Sequence, residues 1–281
     1  MSANYHDPRL PLILALCTSN EHCSVAIGQP GLAAASIELT PQPASSGRIL
    51  ALTGELLAQR AITLQHVDAI AFDQGPGAFT GLRVGCAVAQ GLSLALQRPL
   101  LPINALAATA WQTYCTCFAK RPIKSCVTVT VDANANANAN ANATIIVAND
   151  ARMNEVYLAI YRCAADGSVQ CLLPAQVLAA DRAADALDHF LATAILVAPD
   201  NANGTIAAGD GFARYPLLAD WARQRQFDIQ AACRSRADAI LELALDDYSK
   251  GRVVSAHAAA PLYIRDKIAL DVDEQRLARG E

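Results

Sequence analysis

The chain is poor in the residue patterns that mark self-contained chemistry. No CxxC spacing occurs among its nine cysteines, and Cys115 and Cys117 form the only close pair. With no nearby Cys or His to complete a ligand set, a structural zinc site is excluded. The odd cysteine count and lack of pattern fit reduced, mostly buried thiols rather than a disulfide framework. The five histidines, His6, His22, His66, His189 and His257, form neither HExxH nor HxxxH. The glycine-rich stretch lacks the closing GK[ST] of a phosphate-binding P-loop. Positive charge is not in surplus: 22 Lys and Arg stand against 26 Asp and Glu. A protein that grips nucleic acid alone usually shows a basic face, so a nucleic-acid role here would depend on a partner. Uninterrupted apolar runs near the ~20 residues of a membrane helix are also missing. "LPLILALC" resembles a lipoprotein signal, but Leu16 stands where cleavage needs a small residue, so a buried strand is expected instead.

What is present is core material. Of 281 residues, 53% are hydrophobic and 17% charged, enough for two ordinary domains or one large one. Leu12–Leu16 and Cys23–Gly28 read as two strands of a hairpin, and Leu32–Leu39 as a further strand. Ile49, Leu52 and Leu56 recur at helical spacing between Arg48 and Arg60, with Ser45 or Ser46 as an N-cap. Val67–Phe72 is a strand, Gly81–Gln97 a helix and Pro99–Ile103 a strand. The second half adds a helix over Ala105–Ala119 and strands over 126–132, 144–150 and 155–163. "AILVAP", "TIAAGDGF" and a helix closed by Gly251 continue the alternation. A mixed sheet flanked by helices follows from this order. The Asn-Ala alternation over Ala133–Ala143 supplies no packed face and is expected to be a loop.

The stretch "DQGPGAFTGLRVG", Asp73–Gly85, carries the sharpest signal. Gly75, Gly77 and Gly81 are spaced one residue too widely for a dinucleotide fingerprint, and no acidic residue follows at the required distance. What remains is a strand-loop-helix junction with Gly75, Pro76, Gly77, Phe79, Thr80 and Gly81. In the helix beyond it, Gly81, Gly85, Ala89 and Ser93 recur every four residues as a stripe of small side chains. The rest of the helix is apolar nearly all round, so it must be covered on more than one side. Periodicity leaves two covers open: this chain's own sheet, or a helix of another subunit.

The same stretch resembles the signature of the TsaB (YeaZ) family, GPGSFTGLRIG. "ILALCTSNEHCSVAI", "NDARMNEVYLAIY", "AAGDGFARY" and "PLYIRDKIA" are similar to its opening strand pair, its DARxxEVY segment, its glycine turn and its PxYLRxxVA ending. The matches run in order along nearly the whole chain. The resemblance implies an α/β fold of two related domains in the actin-like ATPase and sugar-kinase superfamily. Residues 1–104 would form the first domain, 105–258 the second, and 259–281 a segment returning to the first. It also implies a noncatalytic cytoplasmic subunit in the synthesis of threonylcarbamoyladenosine beside the tRNA anticodon. The partner would be TsaD, which transfers the threonylcarbamoyl group; TsaE would join through the pair, and tRNA only indirectly. A homodimer is the alternative assembly when TsaD is absent, and no membrane is involved.

By the same resemblance, the helices around Ile49, Leu52 and Leu56, and around Gly81, Arg83, Gly85, Ala89 and Ser93, would meet TsaD. The chain departs from the family at Cys17, Thr18 and Ser19, where Asp-Thr-Ser is usual. A neutral thiol cannot offer Mg²⁺ a hard anionic oxygen, so this phosphate motif is degenerate and no metal ligand set is visible. No intrinsic cofactor is implied, and ATP or ADP has a place only at the interface with TsaD. The competing function is an ATPase or small-molecule kinase of the same superfamily. It would need a carboxylate near the phosphates, and Asp73, expected to be a solvated loop residue, is the candidate.

Overall fold

A computed structural model describes residues 7–39, 45–118, 142–193 and 204–265. The first half holds β1 (Ile13–Cys17), β2 (Ser24–Gly28), β3 (Ala35–Glu38), α1 (Ile49–Gln59), β4 (Ala69–Gly75), α2 (Phe79–Leu96), β5 (Leu100–Asn104) and α3 (Ala105–Cys117). The second holds β6 (Ala143–Arg152), β7 (Glu155–Cys163), β8 (Val169–Ala179), α4 (Ala183–Thr193), β9 (Thr205–Ala208), α5 (Gly211–Arg214), α6 (Pro216–Gln224), β10 (Asp228–Gln230) and α7 (Ala237–Ser249). Strands expected over 126–132 and in "AILVAP" lie outside the described residues.

Each half builds the same five-stranded mixed sheet. The first runs β3-β2-β1-β4-β5, the second β8-β7-β6-β9-β10. In both, an antiparallel three-strand meander is followed by two strands parallel to its first member. β1 is buried along its whole length at the centre of its sheet, so "LPLILALC" is a core strand.

Strand parity then assigns the layers. Leu12, Leu14, Leu16, Ile70 and Phe72 face outward under α1 and α2, with Ile49, Leu52, Leu56, Cys86 and Ala89 closing that layer. Ile13, Ala15, Cys17, Ala69 and Ala71 face inward and join a core that includes α3, α7 and the second sheet. The helix closing each half packs across the middle, α3 against β6 and β7, and α7 against β1 and β2. Trp111 Nε1 ties these helices by donating to Glu242 Oε2 at 2.6 Å. Burying about forty apolar side chains larger than alanine in such layers, at about 1.5–3 kcal/mol each, is the favourable side of folding.

Two local expectations need correction. Arg48, not a serine, precedes α1, and it makes no side-chain cap bond. The last residue of the Asn-Ala tract, Ala143, opens β6 and is 1% exposed; residues 133–141 lie outside the described set. Gly251 does follow α7 with φ +69°, the left-handed conformation that a terminating glycine supplies without a Cβ clash.

Candidate functional site

The glycine loop closes on its own chain. The cis Gly75–Pro76 bond starts the turn, and the N–H of Ala78 donates to Ser19 O at 2.7 Å. A Cβ on Gly77 would stand 2.4 Å from Ser19 O, and one on Gly81 2.0 Å from Thr18 O. At Gly85 it would stand 2.2 Å from Thr18 Oγ1. Thr18 Oγ1 in turn donates to Gly81 O at 2.9 Å. Glycine is required here because backbone meets backbone.

This geometry corrects the expected partner surface. Ile49, Leu52, Leu56, Gly81, Gly85, Ala89 and Ser93 are all buried within the chain. Arg83 alone of that set is exposed. The small-residue stripe packs on this chain's own sheet, where Gly81 and Gly85 meet Thr18 just beyond β1. The solvent-facing side of the two helices carries a different set. On α1 it is Leu50, Ala51, Gly54, Glu55, Ala58 and Gln59; on α2 it is Phe79, Thr80, Arg83, Ala87, Gly91, Leu94 and Ala95. Nothing lies within 4 Å of a Cβ built on Gly54 or Gly91. Leu50 and Leu94 are 55% and 59% exposed. The face is mostly apolar, low in relief and uncovered. α2 is long and apolar enough to cross a membrane by length and composition, but its inner stripe packs on the sheet.

Between the two sheets lies a cleft of about 810 Å³, lined by Ser19, Asn20, Gly77, Asp150, Asp210 and Arg234 among others. Asp73, expected to be solvated, is fully buried at the end of β4. β1 and β4 run parallel with Leu16 beside Phe72, so Cys17 and Asp73 come next, side by side. Thr18 N donates to the carboxylate at 3.1 and 3.0 Å, and Ser19 N donates to Oδ2 at 2.6 Å. Burial raises the Asp73 carboxyl above the ordinary aspartate value, and the bonds from Ser19 and Thr18 oppose that rise.

Cys17 Sγ lies 3.3 Å from Asp73 Oδ2 and 3.2 Å from Ser235 Oγ. Burial first, and Asp73 second, push this thiol well above its ordinary value, so it is a protonated core group rather than a nucleophile.

The second half repeats the arrangement. Gly209, with φ +104°, follows β9 directly, and Gly75, with φ +112°, ends β4. Asp210 Oδ1 accepts from Asp150 N at 2.8 Å. In both halves a carboxylate just after or within the fourth strand satisfies amides beside the first strand's end. The arginines of the cleft are also engaged. Arg152 meets Glu21 and Asp150, each at 3.4 Å, and Arg214 meets Asp150 at 3.4 Å. Arg234 meets Glu38 at 2.7 Å, and Arg265 pairs with Glu155. Polyphosphate is held by free amides and uncommitted cations, and these four arginines and the amides of Thr18, Ser19 and Asp150 are instead committed to acids of the chain. Among the described residues no cluster of His, Cys, Asp and Glu could hold a metal ion.

Comparison with known proteins agrees with the sequence resemblance. The family model of TsaD, tRNA N6-adenosine threonylcarbamoyltransferase, matches residues 40–274. The tRNA threonylcarbamoyladenosine biosynthesis protein TsaB of Haemophilus influenzae is 29% identical over 91% of this chain and 94% of its own length. Its Escherichia coli counterpart is 26% identical over 92% and 96%. The solved structure of YeaZ from Pseudomonas aeruginosa is 30% identical, covers 90% of this chain and 99% of its own, and superposes with a TM-score of 0.67. With a model match and a structural match that each span most of its length, the chain belongs to the family described by that model, among its TsaB (YeaZ) members.

Proposed function

We propose that this chain is a noncatalytic subunit of a tRNA-modifying assembly. In this reading it docks TsaD through α1 and α2 and so supports transfer of the threonylcarbamoyl group. The observation that carries the reading is the outer face of these helices. Ala51, Gly54, Ala58, Ala87, Gly91 and Ala95 leave it uncovered and shallow enough for close approach of other helices. Small residues allow backbones to come near, and the exposed leucines supply apolar area to bury. The cleft supports the noncatalytic half of the reading, since Asp73 and Asp210 hold the amides that phosphates would need. ATP or ADP then has a place only where TsaD contributes the binding groups. TsaE joins the assembly, and tRNA reaches the chain, through the TsaB–TsaD pair; such a role places the protein in the cytoplasm. Self-association through the same face is the competing assembly when TsaD is absent.

The test is copurification and calorimetric titration of the chain with TsaD, with and without ATP, for wild type, Ala51→Glu and Ala87→Glu. A charge left unpaired in a buried interface costs several kcal/mol, so both variants are expected to lose TsaD while unfolding as wild type does. Retention of full affinity by both variants sinks the docking face.

A further inference from the structure

Arg83 differs from the other arginines near the cleft. Arg152, Arg214, Arg234 and Arg265 each face a carboxylate of the chain. Arg83 is exposed and meets only neutral groups among its recorded contacts. Its guanidinium lies 3.5 Å from the centroid of Phe79, one helical turn earlier. Its Nε donates to Tyr263 Oη at 3.1 Å, and the Tyr263 ring lies 5.9 Å from both the guanidinium carbon and the Phe79 ring centre. Tyr263 is itself fixed, because its neighbour Leu262 donates its N–H to Gln74 O at 2.6 Å. Arg265 then anchors the segment to Ala151 O at 3.0 Å and to Glu155. A long side chain that ordinarily loses much rotamer freedom on binding is thus already ordered, with its NH1 and NH2 ends outside the recorded Tyr263 bond.

We infer that Arg83, held flat by Phe79 and Tyr263, is a preformed receptor for a carboxylate side chain of the protein that covers α1 and α2. The inference rests on the docking reading above and names the chemistry at one edge of that face. A planar guanidinium with two outward donors matches a carboxylate in a bidentate pair. Prior ordering by the aromatic rings reduces the cost of forming it. A nucleic-acid backbone is the poorer match. It presents a row of phosphates and is held by several cations together, whereas the neighbouring arginines are committed to internal acids and the whole chain carries a formal charge of -4. Phe79 and Tyr263, 39% and 47% exposed, also offer apolar area around the charge, where an ion pair shielded from water gains strength.

The experiment titrates TsaD into wild type, Arg83→Gln, Arg83→Lys and Tyr263→Phe, at NaCl from about 0.05 to 0.5 M. Arg83→Gln is expected to weaken binding roughly tenfold or more at low salt and to flatten its salt dependence. Arg83→Lys should keep the salt dependence but recover only part of the affinity, because the fork is lost. Tyr263→Phe keeps the ring but frees the guanidinium, and should fall between wild type and Arg83→Gln. Wild-type affinity and salt dependence in Arg83→Gln overturn the receptor while leaving the docking reading intact. Absence of any wild-type binding to TsaD removes the docking reading itself. A variant that binds TsaD normally but lowers the assembly's affinity for tRNA assigns Arg83 to phosphate and also overturns the inference.

Discussion

Alanine at three glycines of α2 separates the inner face of this helix from its outer face. At Gly85 the new Cβ would stand 2.2 Å from Thr18 Oγ1 and 3.5 Å from Thr18 Cβ. The hydroxyl must turn away, giving up its 2.9 Å bond to Gly81 O. Overpacking costs about 1–3 kcal/mol and the lost bond about 0.5–1.5 kcal/mol, against a gain of about 1 kcal/mol in helix propensity. The net is a destabilisation of about 0.5–3.5 kcal/mol. Gly81→Ala is worse, because the obstacle at 2.0 Å is the carbonyl oxygen of Thr18, which can retreat only by moving the β1 end. Gly91→Ala meets nothing within 4 Å and should stabilise the isolated chain by the propensity term alone, about 1 kcal/mol. With roughly 2–4 °C per kcal/mol for a chain of this order of size, Gly85→Ala should melt roughly 1–14 °C lower and Gly91→Ala roughly 2–4 °C higher. Thermal unfolding followed by circular dichroism, supported by urea midpoints, reads both. The same proteins titrated with TsaD should show weaker binding for Gly91→Ala despite its greater stability. A Gly85→Ala protein that melts at or above wild type refutes the inward placement of the stripe.

The isolated chain is expected to hydrolyse no ATP, since Cys17 offers Mg²⁺ no anionic oxygen and Asp73 is buried against the amides of Thr18 and Ser19; turnover that disappears in Asp73→Asn would restore the kinase reading. Asp73 also gives a pH signature. The fold holds its proton more tightly than the unfolded chain does, because burial raises its carboxyl. Its contribution is therefore full below the ordinary aspartate value and declines as pH rises through the raised one. Urea midpoints of wild type and Asp73→Asn should accordingly converge with rising pH across that acid window, and divergence would contradict the burial argument. Deleting two to four Asn-Ala pairs within 133–141 should leave the melting temperature nearly unchanged, because loop-closure entropy varies slowly with length. A deletion that reaches Ala143 should lower it by disturbing β6, and equal effects of the two would be a failure of the boundary.

The elements legible in the sequence are those whose pattern is set by burial on a regular lattice. β1, β2, β4 and the inner stripe of α2 follow from apolar runs and four-residue spacing. β8 was not legible because Pro174 interrupts it, which only an edge strand tolerates; β8 is such an edge. α4 and α6 are amphipathic but span only 11 and 9 residues, a length at which an apolar stripe is hard to tell from a strand or loop pattern. The residues expected at a partner surface, Arg83 apart, are buried, which was not legible for a different reason. Both sides of α2 carry small residues every third or fourth position, Gly81, Gly85 and Ala89 on one and Ala87, Gly91 and Ala95 on the other. Spacing cannot say which stripe its own sheet covers. Asp73 was misread because its burial depends on the β1–β4 register, a long-range fact that nothing within residues 67–85 encodes.

The repeated halves bear on the scaffold role proposed for this chain. A cleft between duplicated sheets is suited to binding because each first strand ends in amides that need an acceptor. Here the acceptors are internal: Asp73 takes the amides of Thr18 and Ser19, and Asp210 that of Asp150. Ser235, from the loop before α7, meets Cys17 at the base of the cleft, and Asn20 Nδ2 donates to Ser235 O at 2.9 Å. The carboxylate bonds therefore each close the strand ends of one sheet, and the Ser235 contacts tie the first sheet to the loop that leaves β10. A cleft satisfied in this way has no need of a ligand to stay ordered, which leaves the rigid outer layer of α1 and α2 free to be specified by a partner. If Asp73 were only a passive core residue, its loss would act locally. In the scaffold account it should also loosen the contact through Cys17 and Ser235, and hydrogen exchange in Asp73→Asn should rise at residues 231–238 as well as at 17–20. Exchange confined to 17–20 would show that the cleft is not what joins the halves.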